Sequence, residues 1–235
     1  MNNHVTVLEI DANALEHNLH YFKQKLKPET KILAVVKAFG YGSDGVQVAD
    51  FLKDKVDYFA VAYASEGIAL REAGIKTPIL VLHPQIPTLQ SIVTYQLEPN
   101  LYCFKIFDTF LKLANETSLV DYPIHLKFNT GLNRLGFKHA DIPKILASLK
   151  ETNHIKVQSL FSHLAASEDL EERDFTTNQI ANFTYVAQEF YKNLNYEQFH
   201  WDNRNVLYYV NAEGELVVRI NQNYTYDENS SSNGL

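Results

Sequence analysis

Three short segments set chemically able side chains beside glycines. The first reads Val-Val-Lys37-Ala-Phe-Gly-Tyr41-Gly. A lysine that closes an apolar run sits in a poor solvent for its charge. Desolvation lowers an amine pKa, and a neutral amine attacks a carbonyl to form a Schiff base. Tyr41 adds a phenol four residues on, and the glycines let a ligand approach the backbone closely. The second segment reads His125-Leu-Lys127-Phe-Asn129-Thr-Gly131-Leu-Asn133-Arg134-Leu-Gly136. An arginine in a tight loop can take a carboxylate or phenolate bidentately, and Lys127 supplies a second amine. The third reads Ser162-His163-Leu-Ala-Ala-Ser167-Glu168, where His163 can face a flat ring or orient an arginine. Each has an ordinary alternative: a lysine snorkelling into water, a solvated loop arginine, a structural histidine. Their shared position decides between the two. Each follows directly on an apolar, strand-like run.

Those runs alternate with helical spacing along most of the chain. Strands are expected at residues 5–10, 31–36, 58–62, 78–82, 100–103, 123–128 and 155–161. Between them, apolar residues recur at helical intervals, as in Leu15, Leu19, Phe22 and Leu26, or Ile142, Ile145, Leu146 and Leu149. Asp11 and Asp174 are expected N-caps, and Gly74 is a helix stop. Strand and helix in alternation predict βαβ units on a parallel sheet. The number of repeats favours a (β/α)8 TIM-like barrel, incomplete or distorted at its last strands, over a doubly wound sheet. In a barrel, active sites lie at the C-terminal ends of the strands, so the three segments converge on one mouth. After about residue 200 the pattern changes. Two β-rich runs flank Asn-Ala-Glu-Gly-Glu, a hairpin signal. Residues 227–235 are almost wholly polar and are expected to be a disordered tail. The expected organisation is a barrel over residues 1–200, a divergent hairpin end over 201–226, and that tail.

Composition narrows the function. The 235 residues carry 21 Lys and Arg against 28 Asp and Glu, a net charge of −7. That is no basic footprint for nucleic acid. No apolar run approaches the roughly 20 residues of a membrane span. A lone cysteine, Cys103, makes no internal disulfide and no cysteine-based metal site, so a reducing, cytoplasmic setting is expected. Phosphate-loop, dinucleotide, zinc-protease and nucleophile-elbow patterns are all missing from the sequence.

The segments resemble the alanine racemase family. Ala-Val-Val-Lys37-Ala-Phe-Gly-Tyr41-Gly is similar to its pyridoxal-phosphate lysine motif. Glu9-Ile-Asp11 with Leu15 and Asn18 resembles its opening, and Ala-Leu-Arg71-Glu-Ala-Gly-Ile its third helix. Lys127-Phe-Asn129-Thr-Gly131-Leu-Asn-Arg134-Leu-Gly resembles its arginine motif, and Phe-Ser-His163-Leu-Ala its histidine motif. The resemblance implies pyridoxal 5'-phosphate as cofactor and interconversion of L- and D-alanine for cell-wall synthesis. It implies alanine as the small-molecule partner, with neither nucleic acid nor membrane. By the same resemblance Lys37 would carry the cofactor and act as one of two bases. Tyr41 would bind the phosphate and Arg134 the phenolate oxygen. His163 would lie beside the pyridine ring, and Lys127 stands where some members carry a carbamate.

Departures from the family pattern temper this. Asn129 stands where an aspartate is usual. Asn203 and Arg219 fall on a cofactor-binding asparagine and on the arginine that faces the pyridine nitrogen. Arg204, Asn221 and Asn223, however, replace a serine and the phosphate-cradling glycines. The family's C-terminal β domain supplies the second base, a tyrosine, across a homodimer, and it would begin where this chain ends at Leu235. Impaired racemisation is therefore the expectation, and the family homodimer is doubtful here. Two alternatives stand beside it: a single-domain cofactor-binding barrel that does not racemise, and a truncated product without function.

Overall fold

Alternation along each strand separates an outward row, which helices cover, from an inward row. A computed structural model describes residues 9–26, 28, 30–167 and 169–194, with the strand backbones Leu207–Val210 and Leu216–Val218. Helix α1 (Ala12–Lys25) comes first, and the Asp11 carboxylate caps it by accepting the Asn13 N–H at 2.8 Å. Six strands then follow: β1 (Lys31–Val35), β2 (Tyr58–Val61), β3 (Ile79–Val81), β4 (Glu98–Leu101), β5 (Tyr122–Lys127) and β6 (Ile155–Phe161). A short turn, α2 (Lys37–Tyr41), and helix α3 (Gly45–Leu52) follow β1. Helices α4 (Ala64–Glu72), α5 (Leu89–Thr94), α6 (Phe104–Glu116), α7 (Ile142–Lys150) and α8 (Arg173–Asn193) follow the later strands.

The strands pair in sequence order. Each neighbouring pair from β1 to β6 is parallel, as βαβ connections require. Strand β7 (Leu207–Val210) joins β1 in parallel, and β8 (Leu216–Val218) returns antiparallel to β7. The order is β6-β5-β4-β3-β2-β1-β7-β8, with β6 and β8 on the two edges. This is an α/β barrel wall left open among the described residues, the incomplete barrel that the repeat pattern predicts.

Two expectations differ in detail. Glu9 and Ile10 form no strand, and residues 5–8 lie outside the described residues. Asp174 sits inside the first turn of α8, where Glu172 takes the N-cap position with no side-chain bond. A carboxylate there still meets the positive end of the helix dipole, so the residue type was informative and its position was off by two residues. The expected tail at 227–235 lies outside the described residues.

The outward row builds the main core. Phe59, Val61, Ile79, Val81, Ile124 and Leu126 meet Ile92, Phe107, Phe110, Ile145, Val186 and Phe190 from the helices. Full burial of one such side chain stabilises by about 1.5–3 kcal/mol, so this layer holds helices to sheet. The inward row is different. Leu33, Tyr58, Ala60, Leu80, Leu82 and Phe161 form a smaller apolar cluster. Below the mouth, polar groups join it. The Glu98 carboxylate accepts from Tyr58 Oη at 3.2 Å and meets His125 Nε2 at 2.7 Å, while His125 Nδ1 meets Ser159 Oγ at 2.5 Å. A bulge makes the last contact. The β5–β6 register skips one residue between Ile124 and His125, so His125 faces Ser159 rather than Gln158.

This chain of bonds gives the inward row a fixed arrangement that apolar packing alone does not specify. Removing its central acceptor strands two buried donors. Glu98→Ala is expected to lower stability by about 2–5 kcal/mol and Glu98→Gln by less, read as a shift of the urea midpoint at unchanged slope. A Glu98→Ala midpoint equal to wild type would show that the network carries no stability.

Candidate active site

Strand β1 ends at Val35, and its inward row continues into Lys37. The turn after it is left-handed. Ala38, Phe39, Gly40 and Tyr41 all have positive φ, between 52° and 60°. That conformation costs roughly 1–2 kcal/mol for each residue that is not glycine, so something must hold it. Two contacts do. Gly40 and Gly45 pack so closely that a Cβ on Gly45 would lie 2.8 Å from the Val36 carbonyl oxygen. The Glu66 carboxylate, from the first turn of α4, accepts the Ala38 N–H at 2.7 Å. Its other oxygen accepts Ala62 N–H at 2.6 Å and Tyr63 N–H at 3.1 Å. One side chain thus ties the lysine turn to the end of β2. Lys37 itself is half-buried, with Nζ 5.7 Å from the Tyr41 ring centre.

The second segment forms a closed loop. Phe137 N–H donates to Lys127 O at 2.8 Å, and Asn129 N–H to Phe137 O at 2.9 Å. Gly136 makes that neck possible, because a Cβ there would lie 2.5 Å from Asn129 N. Inside the loop, Asn129 Oδ1 accepts Gly131 N–H and Asn133 N–H, and Nδ2 donates to Asn133 Oδ1. Asn129 is therefore the loop's internal brace. Arg134 rides on this loop. Lys127, the last residue of β5, is only 7% exposed.

The third segment is held from α8. Gln179, 1% exposed, accepts Ala165 N–H at 2.9 Å and donates to His163 O at 3.1 Å and to Thr130 Oγ1 at 3.3 Å. Ser162 Oγ donates to Phe128 O at 2.8 Å. The ends of β5 and β6 are thereby fastened together, with His163 half-buried between them.

Electrostatics bring the first two segments together. Burial first, then Arg134 and Lys37, push the Lys127 amine down to about 8. Burial, then Lys127, Lys37 and Arg134, hold the His83 imidazole below its ordinary value. Lys37, Lys127 and Arg134 are thus close enough to act on the same neighbours. Lys127 is the more deeply buried of the two lysines, because it still belongs to a strand while Lys37 opens the left-handed turn. Asn203 and Arg219 lie outside the described residues. Sequence reasoning missed Glu66, Gln179 and His83. A glutamate three residues into a helix is a readable signal. A glutamine in mid-helix is not.

Comparison with known proteins adds an independent finding. Residues 10–217 match the family model for the alanine racemase N-terminal domain. The chain belongs to the alanine racemase family. An alanine racemase from Thermodesulfovibrio yellowstonii is 34% identical over 214 residues, covering 89% of this chain and 57% of that protein. An amino-acid racemase from Enterococcus faecalis is 37% identical over 183 residues, covering 76% of this chain and 25% of that protein. Among solved structures, the alanine racemase of Clostridium difficile 630 superposes with a TM-score of 0.74 at 28% identity, over 80% of this chain and 51% of that one. The Bacillus anthracis alanine racemase with bound L-Ala-P gives 0.72 at 25% identity, over 86% and 51%. This chain thus spans about half the length of most of these alanine racemases and a quarter of the Enterococcus amino-acid racemase. Among the described residues, no helix is long and apolar enough to cross a membrane.

Two outcomes test this geometry. In Glu66→Ala, hydrogen exchange at the Ala38 and Ala62 amides is expected to accelerate while that of α6 stays unchanged; unaltered protection at both amides would remove Glu66 as the clamp. The second follows from Lys127. The unfolded chain keeps this amine protonated up to its ordinary 10.5, whereas the folded chain releases the proton near 8. Between those values the unfolded state holds more protons, so folding stability rises as pH climbs through that window. Relative to Lys127→Met, the wild-type urea midpoint is expected to rise between pH 8 and 10.5, by an amount on the order of 3 kcal/mol. A flat difference would mean that burial does not act on this amine.

Proposed function

We propose that this chain binds pyridoxal 5'-phosphate in the barrel mouth, through Lys37, and acts on alanine as an amino-acid racemase. The observation that carries the reading is the convergence of Lys37, Lys127 and Arg134 on one strand-end mouth. The charges acting on Lys127 are both positive, and such a group calls for an oxyanion. A cofactor with a phosphate and a phenolate fits that donor set, and a lysine at a barrel strand end is where its aldehyde would be held. Membership of the alanine racemase family supports the same choice.

Lys37 would hold the cofactor, with Tyr41 toward its phosphate, Arg134 toward its phenolate oxygen and His163 beside its ring. Asn203 and Arg219 are proposed to complete the site from the chain's later part. The cofactor, when bound, supplies an electron sink that acidifies the substrate Cα–H. The Lys37 amine is the group that takes or returns that proton on its own face of the substrate, as a general base set by the Glu66 clamp, and inversion requires a second group on the opposite face. Arg134, fixed by the closed loop, orients anionic oxygens bidentately.

Lys127 has a separate part. With its proton leaving near 8, about a tenth of the amine is neutral at pH 7. A neutral amine adds to carbon dioxide, forming an N–C bond and releasing one proton. The carbamate so formed turns a cation beside Arg134 into an anion that can orient it.

Treatment of the full chain with pyridoxal 5'-phosphate and then borohydride is expected to leave a pyridoxyl group on Lys37, located by peptide mass spectrometry and lost in Lys37→Ala. Label spread over surface lysines and unchanged by that substitution would sink the site. In deuterated water, solvent label entering alanine at Cα faster than the enantiomers interconvert would mark a chain that binds and deprotonates without efficient racemisation.

A further inference from the structure

The other end of the barrel wall carries a second opening. At the N-terminal ends of β3, β4 and β5 lies a cavity of about 690 Å³, within the usual size of small-molecule sites, about 300–1,000 Å³. It lies a strand length, roughly 16 Å, from the mouth described above, at the end that a barrel ordinarily leaves to stability. Pro78, Pro123 and Tyr122 give it apolar wall, and Glu98, Arg71 and Lys76 give it charge. These charges are not spent on one another. Glu98 is 8% exposed, and its Oε2 takes both of its hydrogen bonds, with Tyr58 Oη and His125 Nε2. Its Oε1 takes none among the described residues. Arg71 gives four of its five N–H groups to main-chain carbonyls. Nε donates to Tyr95 O at 3.2 Å, Nη1 to Ile75 O at 2.7 Å and Thr77 O at 2.8 Å, and Nη2 to Gln96 O at 3.0 Å. Carbonyls fix a guanidinium without neutralising it. Among the described residues, no carboxylate lies in ion-pair range of Arg71 or Lys76. Gln96 stands two residues before Glu98, so the Arg71 clamp and the carboxylate flank one short stretch of chain, their backbone positions at most about 7 Å apart.

A chamber that carries unspent charge of both signs is complementary to a small molecule that carries both. A plain cation would meet Arg71 and Lys76, and a plain anion would meet Glu98, so each is disfavoured by one part of the wall. The apolar remainder suits a hydrocarbon body. We propose that this cavity is a second ligand site, which takes an aliphatic α-amino acid as its zwitterion. The ligand ammonium donates to Glu98 Oε1, and its carboxylate lies toward Arg71 and Lys76. Both contacts are charge-assisted, the stronger class of hydrogen bond. The side chain packs on Pro78, Pro123 and the Tyr122 ring. Lys76, exposed at the rim, attracts the carboxylate as the ligand enters. Binding here makes and breaks no covalent bond. It requires neither Lys37 nor a cofactor, and so stands apart from the reading of the mouth.

The test is a titration of the full chain with L-leucine, followed by nitrogen-15 NMR. The backbone amides of Lys76, Gln96 and Glu98 are expected to shift along one saturation curve. Two further probes divide the ligand: isopentylamine is leucine without its carboxylate, and 4-methylpentanoate is leucine without its ammonium. Each is expected to bind at least about tenfold more weakly, having lost one charge-assisted contact. Glu98→Gln keeps an oxygen for Tyr58 and His125 and should weaken leucine by about tenfold or more. Lys76→Ala changes only the exposed rim, so it folds even if the Glu98 variant does not. It should weaken leucine and leave isopentylamine unchanged. Leucine shifts confined to Ala38 and His163 at the mouth, or no shift at all, as in a cavity that holds only water, would overturn the proposal. So would either half-molecule binding as tightly as leucine, or either variant binding leucine as wild type does. The cofactor reading is decided separately, by the pyridoxyl label on Lys37.

Discussion

Lys37, Lys127 and Arg134 repel one another, and a chain free to relax would move them apart. The fold prevents this separately for each. The lysine turn is locked by the Glu66 carboxylate and by the glycine contact beneath it. Lys127 is held in β5, between paired strands on both sides. Arg134 is carried by a loop whose neck is closed by two main-chain bonds. Like charges in water are cheap to hold near one another because water screens them. In a half-buried mouth they are not, and the excess is carried by the packing energy of the outer layer. Binding groups and scaffold are thus coupled, since the helices that cover the sheet stabilise the charges at its end.

The fold was largely legible because its signal is periodic. Apolar runs bounded by glycine and proline marked β1 to β6, and the face formed by Ile142, Ile145, Leu146 and Leu149 is buried in α7 as a unit. The positions that a barrel assigns to chemistry were legible for the same reason, since Lys37 and His163 follow directly on such runs. What failed to show was everything held by a single contact between distant residues. Gln179 reaches residues 14, 16 and 49 positions away, and nothing in its neighbourhood distinguishes it from a solvated glutamine. The difference in solvation between Lys37 and Lys127 was equally hidden. Both end apolar runs, and only the backbone's departure after Val35 separates them.

The inward row shows a different division of labour. Its lower part, where Tyr58, Glu98, His125 and Ser159 join, is polar yet closed, with each named group bonded to another. Two residues further along β4, Asn100 donates its amide to the Leu82 carbonyl, and its buried Oδ1 has no partner. A barrel interior ordinarily fills with branched apolar side chains. Here a polar network stands among them, and it fixes the inward row by hydrogen bonds as well as by shape.

The closed neck below Arg134 has a consequence for how this protein can vary. With Lys127, Asn129 and Phe137 bonded across it and Gly136 allowing the close approach, the residues beyond the neck form a cassette. Its ends are a fixed distance apart and its interior is braced by one amide side chain. Replacement cassettes of the same length that keep Asn129 and Gly136 would graft onto an unchanged barrel wall. Ligand preference at this mouth could then diversify through a handful of codons while the strands and helices that carry stability stay as they are.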